Sequence, residues 1–245
     1  MSPLPLDMPD DYPWLPSSAR YPLADLGEHA VRLGSPVTFD RRGEVVWFDV
    51  GDKGLAPYII TGSGAGNKVK VDVLYPLHGS YNVMLQAGSD ADCTSEIVKL
   101  VSNLAMRRSG FEVAGFVMVG VEAFEIYSAR FDGSRGVLGR VRLNNVDKTL
   151  DYYGSDDAWH AIDIIGEFED NYGVYHHLKL VTNFDSENYM RVLFDEKSYD
   201  LSTHELKTET SSQIACYRFY VRVVGRAGYN DTAYVGHVIV TGNEL

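Results

Sequence analysis

The stretch His176–Ser202, HHLKLVTNFDSENYMRVLFDEKSYDLS, decides the fold. It predicts three short strands joined by two polar turns, Asp185–Asn188 and Asp195–Glu196. In the first strand Leu178, Leu180 and Phe184 share a face, with Lys179 and Asn183 opposite. Beyond the first turn Met190, Val192 and Phe194 share a face and Arg191 points the other way. Side chains of a strand alternate between the two faces of a sheet. This period-2 pattern, punctuated by Asp, Ser and Asn, therefore marks antiparallel hairpins with one buried face.

The same rhythm extends over most of the chain. Alternating or apolar runs predict strands at Glu44–Val50, Lys68–Tyr75, Ser80–Gln86, Ser95–Asn103, Phe111–Val119 and Glu122–Phe131. Further runs follow at Gly136–Leu143, Thr149–Tyr153, Trp159–Ile165, Ile214–Val224 and Thr232–Val240. Within Cys216–Val224, Tyr217, Phe219, Val221 and Val223 form an apolar face opposed by Arg218, Tyr220 and Arg222. Asp132-Gly133, Asn144-Asn145 and Asp170-Asn171 supply turn chemistry between runs. Gly62–Gly66 reads as a flexible connection, because no helix follows it to complete a phosphate-cradling loop. Residues 37–245 are thus expected to form a single β-sandwich domain of two multi-stranded sheets.

Residues 1–36 differ. Six of the 9 prolines stand at Pro3, Pro5, Pro9, Pro13, Pro16 and Pro22, a density that prevents regular strand pairing and favours an extended arm. Leu26, Ala30 and Leu33 share a stripe at helical spacing, and Gly34 is placed to cap that short helix. Trp14, Leu15, Tyr21 and Leu23 would anchor the arm to its own sandwich or to a neighbouring subunit.

The run at 176–202, followed by TAYVGHVIVTG at 232–242, resembles the concanavalin A-like, or laminin G-like, jelly roll. In that group a Trp-His-x-hydrophobic strand leads through a polar turn into Tyr-x-Arg-hydrophobic. A tight turn and a Tyr-Asp-Leu segment follow, and a last strand returns to pair inside a sheet. Here Tyr175 stands in place of the Trp, ahead of His176 and His177. The resemblance covers the C-terminal third by motif. It implies an all-β, antiparallel two-sheet jelly-roll sandwich, which the Pro-rich arm and one short helix would precede. Gly27–Ser35 and the following PVTFDRRGEVVWFD also resemble uncharacterised proteins of bacteria and their phages that carry this sandwich.

Charge and composition narrow the function classes. With 34 acidic and 22 basic residues the net charge is −12, which argues against nucleic acid as a partner. The apolar run Val113–Val121 is too short to cross a bilayer, so no membrane insertion is expected. MSPLPLDMPDDYPW lacks the basic and apolar regions of a signal peptide, and a soluble chain made in the cytoplasm is expected. Cys93 and Cys216 read as two separate thiols, with a pairing between them as the alternative.

Glucanases related to this jelly roll set two glutamates around an aspartate as E-x-D-x-x-E, so that the carboxylates project together. The nearest segment here is Ala161–Glu167, where Asp163 matches but Ala161 and Gly166 replace both glutamates. Glu167 comes one residue late, which turns it to the opposite face of a strand. No G-x-S-x-G elbow is present, so no catalytic residues are assigned and a non-catalytic protein is expected. His176 and His177 are adjacent and face opposite ways, while His160, His204 and His237 are isolated in sequence. No metal site or cofactor is expected from them, and Asp90–Asp92 and Asp156–Asp157 read as acidic turns rather than calcium loops.

One cluster suits a sugar. Tyr152, Tyr153, Asp156, Asp157 and Trp159 lie close in sequence, and Tyr172 and Tyr175 follow the Asp170-Asn171 turn. Carbohydrate sites combine an aromatic face for stacking with carboxylate and amide groups that bond hydroxyls. The competing reading places Trp159 and alternate tyrosines in the core. Two functions follow from these patterns. The first is a non-catalytic structural or association protein, a homo-oligomer or particle subunit at a virion or particle surface, linked by its arm. The second is a lectin-like carbohydrate-binding module with a glycan partner in the Tyr152–Trp159 region.

Overall fold

Alternation in the sequence becomes layered sheets because each strand has one apolar face to remove from water. The computed structural model describes residues 42–245 except 52, 78–80, 103–105, 119, 169–173 and 231. The expected arm and helix, with Trp14, Leu15, Tyr21 and Leu23, lie outside the described residues, as does Tyr172.

The described residues form strands only. They are β1 (Glu44–Asp49), β2 (Ile59–Ser63), β3 (Lys68–Asp72), β4 (Asn82–Gln86), β5 (Thr94–Ser102) and β6 (Arg108–Val117). Next come β7 (Ala123–Phe131), β8 (Arg135–Asn144), β9 (Thr149–Tyr153), β10 (Trp159–Ile164) and β11 (His176–Asn183). The last are β12 (Asn188–Phe194), β13 (Lys197–Asp200), β14 (Lys207–Thr210), β15 (Cys216–Val224) and β16 (Thr232–Gly242). One sheet runs β13-β12-β11-β6-β16-β4-β3, with β1 also on β16. The other runs β10-β9-β8-β7-β15-β5-β2, with β14 also on β8. Every pairing is antiparallel, and the two sheets stack as a sandwich.

Between the sheets, Phe111, Val113, Leu178, Leu180 and Val192 of the first meet Ile126, Val141, Leu143, Phe219 and Val221 of the second. The rings of Phe111 and Phe219 lie 5.2 Å apart across this layer. Each such side chain contributes about 1.5–3 kcal/mol when fully buried.

The His176–Ser202 stretch forms β11, β12 and β13 with both expected turns. Asp195 takes a left-handed φ of 47° in the tight β12–β13 turn, a conformation that Asp tolerates better than most residues. One face assignment changes. The β11–β12 register shifts between Val181 and Thr182, which pair with Arg191 and Tyr189 and leave Met190 as the extra residue. Tyr189 therefore turns into the core at 0% exposure, and Met190, expected there, is only half-buried.

The Gly62–Gly66 run is also not merely a flexible connection. Gly62 and Ser63 belong to edge strand β2, and Gly64 and Gly66, at φ of 87° and 86°, turn the chain toward β3. A Cβ on Gly62 would meet the Thr94 carbonyl oxygen at 2.5 Å, so the strand approaches β5 only as glycine. Cys93 and Cys216 are both buried free thiols. Among the described residues, no helix is long and apolar enough to cross a membrane.

Candidate functional site

Strands β9 and β10 pair at the edge of the second sheet, with Trp159 opposite Tyr153 and His160 opposite Tyr152. The connecting loop closes through Gly154 N–H to the Ala158 carbonyl at 2.8 Å, with Asp157 left-handed at φ 64°. Because neighbours on a strand face opposite ways, the sequence cluster divides into two groups.

Tyr153, Asp157 and Trp159 go to the outward face of the second sheet. The Tyr153 and Trp159 rings meet edge-on at 5.1 Å. Arg142 lies 4.4 Å over the Trp159 ring, and Arg140 lies 4.7 Å from Tyr153 and 5.1 Å from Trp159. These arginines are fixed in turn, Arg140 by Glu125 at 3.0 Å and Arg142 by Asp151 at 2.8 Å. Asp157 accepts from Lys207 Nζ at 2.6 Å, and that hydrogen bond holds the carboxyl below its ordinary range. Trp159 is half-buried under guanidinium groups, so it is neither a core residue nor an open stacking platform.

Tyr152 and Asp156 go to the other side with two histidines. Tyr152 stacks on His160 at 5.2 Å and donates to or accepts from His204 Nδ1 at 2.8 Å. His160 Nε2 lies 2.9 Å from Asp156 Oδ1, a contact that lowers the Asp156 pKa. A side chain on Gly154 would strike both Asp156 and His160, so this pair depends on glycine there. Burial and the nearby Asp156 carboxylate raise the Tyr152 pKa, keeping the phenol protonated.

These groups line an open cleft of about 380 Å³ with Ser155, Thr203 and Glu205. A second hollow of about 650 Å³ shares Tyr152, His160 and His204 and continues past Ile162, Tyr199 and Asp200. Both volumes fall in the roughly 300–1,000 Å³ range of small-molecule sites. At the far end Tyr199 donates to Asp163 Oδ2 at 2.7 Å and Lys197 reaches the same oxygen at 3.0 Å. Asp163 is thereby held below its ordinary pKa, first by Tyr199 and then by Lys197.

Tyr175 does not join this cluster. It precedes β11 in the first sheet and packs with Met84, Phe116 and Tyr234, its hydroxyl donating to the Tyr75 carbonyl at 2.6 Å. Burial first of all pushes its pKa up to about 12. His204, Tyr199, Arg140 and Arg142 belong to the region but escape a reading by sequence proximity, and the sequence cluster leaves out His160 although it adjoins Trp159. Only the one-residue offset of His160 from Trp159, next to the alternation of Tyr152 and Tyr153, could have signalled His160. His237, isolated in sequence, comes together with Glu112 and His177 on the first sheet.

No family model matches the chain, and no curated protein is significantly similar to it in sequence. Among solved structures, an endo-β-1,4-glucuronan lyase from the fungus Trichoderma reesei superposes with a TM-score of 0.55 at 11% identity, over 82% of this chain and 96% of that one. A cellulose-induced protein gives 0.53 at 11% identity, over 81% of this chain and 98% of the other. A sialidase gives 0.51 at 13% identity, and there 85% of this chain matches only 19% of the larger protein. At such identities the likeness is one of architecture, and in architecture this chain is a concanavalin A-like jelly-roll sandwich.

Proposed function

We propose that the protein is a carbohydrate-binding β-sandwich that seats a neutral saccharide in the Tyr152 cleft. The observation that carries this reading is the cleft itself, where the Tyr152 phenol stands among two carboxylates, two imidazoles and the hydroxyls of Ser155 and Thr203. Carboxylate and imidazole groups suit the vicinal hydroxyls of a sugar, and Tyr152 is held among them by stacking on His160 and by the His204 ring 4.5 Å away. Asp156, Asp200 and Glu205 around the opening disfavour a polyanionic sugar by like-charge repulsion. Two proteins of the same architecture bear names tied to glucuronan and cellulose, which agrees with a saccharide ligand.

Tyr152, Asp156, His160 and His204 then make the contacts, while Trp159 and Tyr153 hold the hairpin from its other face. Affinity electrophoresis in gels containing neutral β-glucans, or polyglucuronate, tests this directly. Retardation by a neutral glucan, abolished in the Asp156→Ala/His160→Ala double variant, is the expected result. Unretarded migration in every gel overturns it. The particle-subunit reading depends on residues 1–36 and has its own test: their deletion would abolish oligomers while leaving a folded monomer.

A further inference from the structure

On the outward face of the first sheet, three central strands bring together residues that sequence spacing keeps far apart. His177 on β11 and His237 on β16 are both cross-strand partners of Ala114 on β6, one from each side. Glu112 lies two residues from Ala114 on the same strand and therefore on the same face. The register of β16 on β6 shifts between Val235 and His237, and Gly236 is the extra residue that turns His237 outward. Ala114 contributes only a methyl group between the imidazoles, whose rings lie 5.2 Å apart at 44°. His237 Nε2 is 3.4 Å from Glu112 Oε1, and one donor atom from each of the three residues lies within 4.8 Å of the others.

We propose that Glu112, His177 and His237 form a divalent transition-metal site that takes Zn²⁺. Two imidazoles and one carboxylate are a donor set suited to zinc, and three protein ligands leave a fourth tetrahedral position for water or a ligand oxygen. The scaffold is preorganised. Adjacent strands of a sheet centre fix the three Cα positions, and the His177 backbone N–H is pinned by Asp195 Oδ1 at 2.8 Å. Lys179, the cross-strand partner of Glu112, is engaged by Glu244 at 2.8 Å. Half-buried His177 marks the side from which an ion enters, since Glu112 and His237 are sealed.

The full-length protein, stripped with EDTA, is titrated with ZnCl₂, desalted and assayed for metal. One zinc per chain and a raised melting temperature are expected, and Co²⁺ should produce the visible ligand-field bands of a four-coordinate site. Loss of even an outer-shell partner weakens metal affinity roughly 10- to 100-fold, so His177→Ala should lose at least that much. Glu209→Ala is the control, because that exposed carboxylate stands on β14 of the other sheet and its loss should leave affinity unchanged. Absence of stoichiometric zinc, or equal affinity in His177→Ala and the unaltered protein, overturns the proposal. The Co²⁺ spectrum of the unaltered protein decides the matter even if the variant fails to fold.

Discussion

At the centre of the first sheet the charged groups are sealed, with Lys179 0% and Glu244 1% exposed. At the β9–β10 end of the second sheet Asp156 and Asp157 stand in water. Both regions pair carboxylates with cations at similar distances, 2.8 Å for Lys179–Glu244 and 2.6 Å for Lys207–Asp157. Solvent separates their roles. Removing one partner of a buried ion pair is costly, so the Lys179–Glu244–Arg191 group should tolerate substitution poorly. An exposed pair is worth only about 0–1 kcal/mol, so its members can exchange partners with a ligand at little cost. The same residue types thus lock the centre of the first sheet and leave the β9–β10 edge of the second adaptable.

The largest effect should come from breaking the lock. Glu244→Ala strips Lys179 and Arg191 of a shared buried carboxylate and should cost about 3–5 kcal/mol in urea unfolding. A loss below 1 kcal/mol would place that group with the exposed pairs. Tyr189 lies between the regions: buried on β12, its hydroxyl accepts from Arg140 N–H at 2.9 Å and lies 2.7 Å from the Tyr153 carbonyl. Tyr189→Phe should destabilise by about 1–3 kcal/mol and also weaken saccharide binding, because it loosens the hairpin that carries Tyr152.

Acid offers a milder probe. Burial raises the Asp195 pKa, but hydrogen bonds from His176 and from the His177 backbone outweigh it, and the net shift is downward. A carboxyl whose folded pKa is depressed contributes stability above its unfolded value, about 3.9, and loses it as pH falls through the folded value. Chemical denaturation between pH 5 and pH 2 should therefore show a steeper decline in the natural protein than in Asp195→Asn. Parallel profiles would discard the His176 contact as a source of stability. The smallest stability change is expected from Asp156→Ala, within about 0.5 kcal/mol, because the exposed carboxylate contributes little to folding.

Much of the sandwich was legible because period-2 alternation reports which face of a sheet each side chain takes, as Leu178 and Leu180 or Phe219 and Val221 show. It did not report burial on the opposite face: Lys179, across from Leu178 and Leu180, is 0% exposed, so β11 is buried on both faces rather than one. Bulges were not legible. Nothing local distinguishes Met190 from its neighbours, yet the register shift exchanges it with Tyr189. Edge strands β2 and β14 were missed because their exposed IITGS and KTET carry little apolar contrast. Of the residues read as a sugar cluster, β9–β10 pairing sends Tyr152 and Asp156 to one face and Tyr153, Asp157 and Trp159 to the other, while Tyr175 packs in the first sheet. His204 and Tyr199 arrive from distant strands and loops, and Glu112, His177 and His237 from three strands, so no local spacing could have joined them.

The placement of β16 has a consequence for the order in which the protein can be made. Thr232–Val235 pair with β4, Val238–Gly242 pair with β1, and the other edge of β16 pairs with β6 throughout. Until residues 232–242 leave the ribosome, β4, β6 and β1 each present an unsatisfied edge, and the apolar layer behind them has no lid. Pairings of such long sequence separation close slowly, and open edges invite association with other chains. A nascent chain should stay protease-sensitive in β4 and β6 until β16 emerges.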